Sequence, residues 1–207
     1  DFKINKKNPW SKSKNLWNLY KKAETSEKLT SKMFKYSRSI GMEIFSSPFD
    51  TGAVDFLETL NCPAYKIASP EICHIPLIER VAKTKKPIII SLGLAQNKDI
   101  DLALKTIKKV GNNKVTLLQC VSSYPAKILD QNIKFISKIK KKYKILSGFS
   151  DHTKGFIAAV SAVVMGAKVI EKHFNLSQNK SVDSFFSSTE KELKIMVNNI
   201  RLAEASL

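Results

Sequence analysis

Pro87-Ile88-Ile89-Ile90-Ser91, then a helical pattern over 98–110, then Val115-Thr116-Leu117-Leu118-Gln119-Cys120 is the stretch on which the fold turns. Both apolar runs are nearly unbroken, the pattern of strands covered on both faces. A helix of more than ten residues between two such strands makes the pair parallel. The same beat continues on either side. Before it, Met42-Glu43-Ile44-Phe45 and Ala64-Tyr65-Lys66-Ile67 read as strands, with helices over 53–60 and 75–84. After it come strands over 145–149 and 167–172, with helices over 131–143, 156–165 and 189–205. Gly41, Gly111 and Gly166 fall where helices end and strands begin, as C-cap glycines do. The segment 16–40 reads as one further helix, with Trp17, Tyr20 and Ala23 on one stripe.

Six βα units fit either an open doubly wound sheet or a closed barrel. No GxGxxG follows an early strand, which argues against the dinucleotide-binding form of the open sheet. A (β/α)₈ barrel has eight units and about 250 residues. The 207 residues are two units short of that, and the missing units belong at the front.

Composition narrows the class. With 43% hydrophobic and 26% charged residues, the chain is expected to be one globular domain. No apolar run approaches the roughly 20 residues that span a bilayer, and the polar start over 1–14 has no signal-peptide character. Cys62, Cys73 and Cys120 form no pair motif, which suits a reducing, cytoplasmic setting. The net charge of +17 admits nucleic acid or a phosphorylated substrate as partner. The lysines are scattered along helices, however, and the densest run, 136–144, reads as a solvated helix end. Neither nucleic acid nor a membrane is expected as a partner.

In either α/β architecture chemistry gathers at the C-terminal ends of strands. Those ends read Ser46-Ser47-Pro48, Ala68-Ser69-Pro70-Glu71, Ser91-Leu92-Gly93, Val121-Ser122-Ser123-Tyr124-Pro125, Ser150-Asp151-His152-Thr153 and Glu171-Lys172-His173-Phe174. His152 and His173 close successive strands, which lie about 5 Å apart, so both imidazoles could reach one metal ion or serve as acid–base groups. The period of two places Glu171 with His173 on one face and Ser150 with His152 on one face. Lys66 and Lys172 are charges inside apolar strands. They are either ion-paired, with Glu43 or Glu171, or ligands for phosphate or carboxylate in the barrel mouth. Glu71 suits a general base or hydroxyl-binding group, or a helix N-terminal acid. Cys120 reads as a small core residue and His74 as structural.

Taken together these strings resemble the catalytic barrel of the sialic acid synthase superfamily. The carriers are 45–50 (FSSPFD), 53–58 (AVDFLE), 63–69 (PAYKIAS), 86–91 (KPIIIS), 120–125 (CVSSYP), 150–153 (SDHT) and 169–174 (VIEKHF). Three more, 19–25 (LYKKAET), 121–125 (VSSYP) and 182–187 (VDSFFS), resemble the pseudaminic acid synthase branch. The resemblance implies a TIM barrel lacking its first two βα units, and a fragment or truncated relative without the family's small C-terminal antifreeze-like domain. It implies a cytoplasmic transferase, homodimeric at full length, that condenses phosphoenolpyruvate with an amino-sugar aldehyde. The sugar would be a 2,4-diacetamido-trideoxy hexose, with N-acetylneuraminate or legionaminic acid synthesis as the alternative. Ser47, Lys66, Ser91, Ser122 and Ser150 match phosphoenolpyruvate ligands. His152 and His173 match ligands of a divalent metal (Mn²⁺ or Mg²⁺, with Co²⁺ as a further candidate). Glu71, Tyr124 and Asp183 match groups that contact the sugar or move protons. Leu92 stands where the family usually has Thr. A Schiff-base aldolase using Lys66 or Lys172 and a basic, non-enzymatic scaffold are the rival classes.

Overall fold

The computed structural model describes residues 2–178 and 180–207. Asp1, the first residue of the polar start, lies outside them. Five parallel strands form one sheet in the order in which the chain visits them: β1 Tyr65–Ile67, β2 Ile88–Ser91, β3 Val115–Cys120, β4 Leu146–Asp151 and β5 Ile170–Lys172. A doubly wound sheet reverses its strand order partway. This one does not, and it is a partial (β/α)₈ barrel. Between the strands run α4 Ile75–Lys83, α5 Asn97–Lys109, α6 Phe135–Tyr143 and α7 Ile157–Val164. The helices α1 Leu16–Ala23, α2 Glu27–Ser39 and α3 Thr51–Thr59 precede the sheet, and α8 Glu190–Ala205 follows it.

Strand parity sorts the side chains. Tyr65, Ile67, Ile88, Ile90, Val115 and Leu117 face the helices and build the main core with Val54, Leu77 and Val81. Phe149 does the same further along, against Ile136, Ala158 and Ala162. The alternate positions, Lys66, Ser91, Cys120, Ser150 and Glu171, face the concave side, and the register sets Cys120 opposite Ser150 and Ser150 opposite Glu171. Gly148 is required by close approach. A Cβ there would strike the Val169 carbonyl and lie 2.6 Å from Leu118 Cδ2.

Local signals end the helices where the sequence places them. Asp50 accepts from Ala53 N at 2.7 Å to start α3, and Thr189 with Glu192 forms a capping box on α8. Gly41, Gly111 and Gly166 take φ of +70°, +72° and +96° just past α2, α5 and α7, the left-handed turn expected of them. On α6, Ile136 and Ile139 are buried while Lys138, Lys140, Lys141 and Lys142 are exposed, so the basic run is a solvated face.

Several elements differ from expectation. Residues 42–45 are not a strand. A single parallel bridge, Ser46 to Tyr65, marks the place, because among the described residues the segment has a partner on one side only. The helix expected over 16–40 is two helices, broken before Ser26, whose side chain accepts from Leu29 N to cap the second. Trp17 and Tyr20 are exposed, and Leu19 is the buried residue of α1. The helix expected from 131 begins at Phe135, after a 3₁₀ turn at Ile128–Asp130. Leu92, at the Thr position of the family string, is buried in the main core, which gives it a packing role. Among the described residues no helix is long and apolar enough to cross a membrane.

Candidate active site

A cavity of about 410 Å³ opens beyond the C-terminal ends of the strands. Ser47, Lys66, Ser91, Tyr124, Ser150, His152 and His173 line it, so the fold gathers residues spread over more than half the chain. Glu71, Ser122 and Asp183 stand next to this wall and not on it. The wall near Glu71 is made by Ala68, Ser69 and Pro70.

One end of the cavity gathers an ion pair and hydroxyls. Lys66 is 8% exposed, and its Nζ lies 3.2 Å from Glu171 Oε2. The other Glu171 oxygen accepts from Ser150 Oγ at 2.6 Å. Ser91 Oγ and Ser122 Oγ are buried with no hydrogen-bond partner among the described residues. Buried hydroxyls are nearly always bonded, so the unbonded Ser91, which lines the cavity with Lys66, leaves a donor for a ligand, and Ser122 is a second one next to the wall. Gly93 makes room for this arrangement. Its N–H donates to Ser69 Oγ at 2.8 Å, and a Cβ would strike Ser122 Oγ.

The other end holds the imidazoles. Asp151 and Lys172 are register partners on β4 and β5, so His152 and His173, one residue beyond each, are brought to a ring separation of 5.2 Å. His152 Nδ1 lies 2.8 Å from the Val121 carbonyl. A carbonyl only accepts, so Nδ1 carries the proton and Nε2 keeps its lone pair. His173 Nδ1 faces Asp183 Oδ2 at 3.5 Å. The two rings offer imidazole nitrogens, the commonest metal-ligating groups of proteins. Among the described residues no group of three or more His, Cys, Asp or Glu is placed to hold a metal. The described residues thus supply two imidazole donors toward a metal ion and no complete ligand set.

Two groups around the cavity have shifted protonation. Burial, reinforced by the charges of Cys120, Asp183 and Glu171, pushes the Tyr124 hydroxyl up to about 12, which keeps it a neutral donor. Burial also pushes the Glu71 carboxyl above its ordinary value, and its Oε2 is buried without a partner.

Four readings change. Lys172 lines the cavity, but its ammonium is engaged elsewhere. Its Nζ pairs with Asp151 Oδ2 at 2.9 Å and bonds the carbonyls of Thr153 and Gly155, on the face opposite His173. Its partner is Asp151, and of the two acids expected only Glu171 is used, by Lys66. Cys120 is buried but lines the cavity, 3.9 Å from His152 Nδ1, because strand parity turns it inward. Glu171, expected only as an ion-pair partner, also lines the site. Trp10 gave no signal at all. Its Nε1 donates to the Val182 carbonyl at 2.8 Å, a contact across 172 positions that no local pattern carries. His74 is exposed at the start of α4 with no capping bond from its side chain.

Comparison with known proteins adds a second line. The NeuB family profile matches residues 1–207. The chain is 42% identical over 199 residues to pseudaminic acid synthase of Helicobacter pylori, covering 96% of this chain and 58% of that protein. It is 35% identical over 192 residues to N,N'-diacetyllegionaminic acid synthase of Campylobacter jejuni, covering 91% of this chain and 58% of that protein. The chain thus spans about 58% of the length of these relatives. Among solved structures, N-acetylneuraminic acid synthetase from Leptospira borgpetersenii superposes with a TM-score of 0.85 at 34% identity, over 90% of this chain and 65% of that one. A truncated 3-deoxy-D-arabino-heptulosonate 7-phosphate synthase from Thermotoga maritima shares the fold, with a TM-score of 0.75 at 14% identity over 88% of this chain and 73% of that one.

Proposed function

Because this chain belongs to the NeuB family, within the sialic acid synthase superfamily, we propose that it is the catalytic-barrel part of a synthase condensing phosphoenolpyruvate with an amino-sugar aldehyde. The products are a nonulosonic acid and phosphate. The sugar we assign is 2,4-diacetamido-2,4,6-trideoxy-altrose, giving pseudaminic acid. Its support is the higher identity to the pseudaminic acid synthases, 40–42%, than to the diacetyllegionaminic acid synthases, 34–35%. The two front βα units, an antifreeze-like domain and a homodimer belong, in this proposal, to a longer protein.

The observation that supports the reading is the buried Lys66 and the buried, unbonded Ser91 hydroxyl lining one cavity, with a second unbonded hydroxyl, Ser122, packed at Gly93 next to that wall. In this scheme Lys66 and the hydroxyls of Ser47, Ser91, Ser122 and Ser150 take the phosphate and carboxylate of phosphoenolpyruvate. Glu171 keeps the Lys66 ammonium compensated until that anion arrives. His152 and His173 would hold a divalent ion, Mn²⁺ or Mg²⁺, which when bound polarises a carbonyl oxygen as a Lewis acid. Carbon 3 of phosphoenolpyruvate then adds to the sugar aldehyde carbon, water adds at carbon 2, and phosphate leaves with C–O cleavage. Tyr124, a neutral phenol, donates to the oxygen that was the aldehyde. Asp183 orients the His173 ring through Nδ1, and Glu71 is suited to deliver or accept a proton.

Phosphate release by the full-length protein with phosphoenolpyruvate, Mn²⁺ and the trideoxy sugar is the direct test, with N-acetylmannosamine as the competing substrate. His152→Ala and His173→Ala are each expected to lower the rate about 100-fold or more, the equivalent of several kcal/mol of lost Lewis-acid stabilisation. If both variants release phosphate at the wild-type rate, the metal role of the pair is wrong. A borohydride-trapped adduct on Lys66 would move the chain to the Schiff-base aldolases.

A further inference from the structure

Trp10 lies outside every motif that carries the proposed reaction, yet it is tied to the histidine end of the cavity. Its indole N–H donates to the Val182 carbonyl at 2.8 Å, one residue before Asp183, the acid that faces His173. Its ring meets Tyr124 edge-on at 5.8 Å and Phe186 at 6.4 Å between centroids. Those two rings flank the imidazoles in turn: Tyr124 is 4.4 Å from His152, and Phe186 is 4.7 Å from His173. Phe186 is 3% exposed, so this is a packed aromatic stack and not a loose surface contact. Among the described residues no hydrogen bond or ring contact of Trp10 reaches Lys66, Ser91 or Ser150 at the other end. At that end Lys66 and Ser150 are both bonded to Glu171.

On the strength of this one-sided attachment we propose that Trp10 is a specificity-determining positioning residue for the sugar substrate. It pins the 182–186 loop through one hydrogen bond, holds the two aromatic rings against the imidazoles, and so shapes the sugar end of the cavity while leaving the phosphoenolpyruvate end alone. The inference rests on the synthase reading above and adds a residue and a substrate end to it.

The experiment is steady-state kinetics on the full-length Mn²⁺-loaded protein, varying sugar and phosphoenolpyruvate separately. Trp10→Phe keeps a ring and loses the N–H. It is expected to raise the sugar KM about 5-fold, the worth of one neutral hydrogen bond. Trp10→Ala loses the ring as well and is expected to raise it more than about 10-fold. In both, the phosphoenolpyruvate KM stays within about twofold of wild type, a split that general loosening of the fold would not produce. If Trp10→Ala fails to fold, Trp10→Phe alone decides. Equal sugar KM in Trp10→Phe and wild type, or parallel rises in both KM values, overturns the inference while the synthase reading stands. Absence of phosphate release from the wild-type protein overturns both.

Discussion

Glu71 concentrates the residue-scale physics of this site. Its Oε2 is buried without a partner, and burial raises its carboxyl above the ordinary value. A raised folded-state value means the folded protein holds this proton more tightly than the unfolded chain. The stability it contributes is therefore present below the ordinary carboxylate range, about 4.3, and is lost as pH rises through the raised value. Glu71→Gln removes the charge that burial penalises. The variant is expected to melt at a higher temperature than wild type at pH 7–8, with the difference closing by about pH 4. A pH-independent difference in Tm between the two would rule this account out. Much of the residue scale was legible in sequence. His152 and His173, Lys66 and the strand-end serines could be picked out because each closes or interrupts an apolar run. Lys172 reads in sequence as ion-paired or as a ligand, and the pairing is found, with Asp151 in place of the acids expected. Trp10 was not legible, since its partners come from the far end of the chain.

At the scale of elements, β4 and β5 are joined by more than backbone bonds. The Asp151–Lys172 pair has side chains 0% and 3% exposed, and Asp151 also accepts from Thr153 N and Oγ1 at 2.8 Å. The pair sits one residue before each imidazole, so it sets the strand register that brings the rings together. Removing one partner leaves the other charge buried and uncompensated, which costs about 3–5 kcal/mol. Lys172→Met is expected to lower the unfolding free energy by that amount in urea titration, whereas Asp151→Asn combined with Lys172→Met should cost less than the single change. A single-variant loss below about 1 kcal/mol would show the pair to be marginal. Most helices and strands were readable, because turn residues and period changes mark their ends. The strand at 42–45 was not, because an apolar run becomes a strand only when neighbours supply its hydrogen bonds.

For the whole molecule, the five strands curve without closing among the described residues, and they leave apolar side chains at the front, where Met42 and Phe45 are 63% and 43% exposed. An open strand edge with apolar neighbours invites association. Expressed by themselves, these 207 residues are expected to elute larger than a 23.3 kDa monomer in size-exclusion chromatography. A form extended at the front by two βα units should elute as a defined species and unfold more cooperatively. A stable monomer whose urea midpoint equals that of the extended form would refute the expectation. The sequence by itself determined the parallel α/β rhythm, the strand-end chemistry and the family, since each rests on local period and on residues adjacent in the chain. Periodicity alone left open sheet and barrel both possible, the resemblance implied the barrel, and the strand order bears it out, because strand order is a matter of which strands pair. The tertiary structure alone paired Lys172 with Asp151, put Cys120 on the cavity wall and brought Trp10 against the rings that flank the imidazoles, because such contacts depend on side-chain direction and on segments distant in sequence meeting in space.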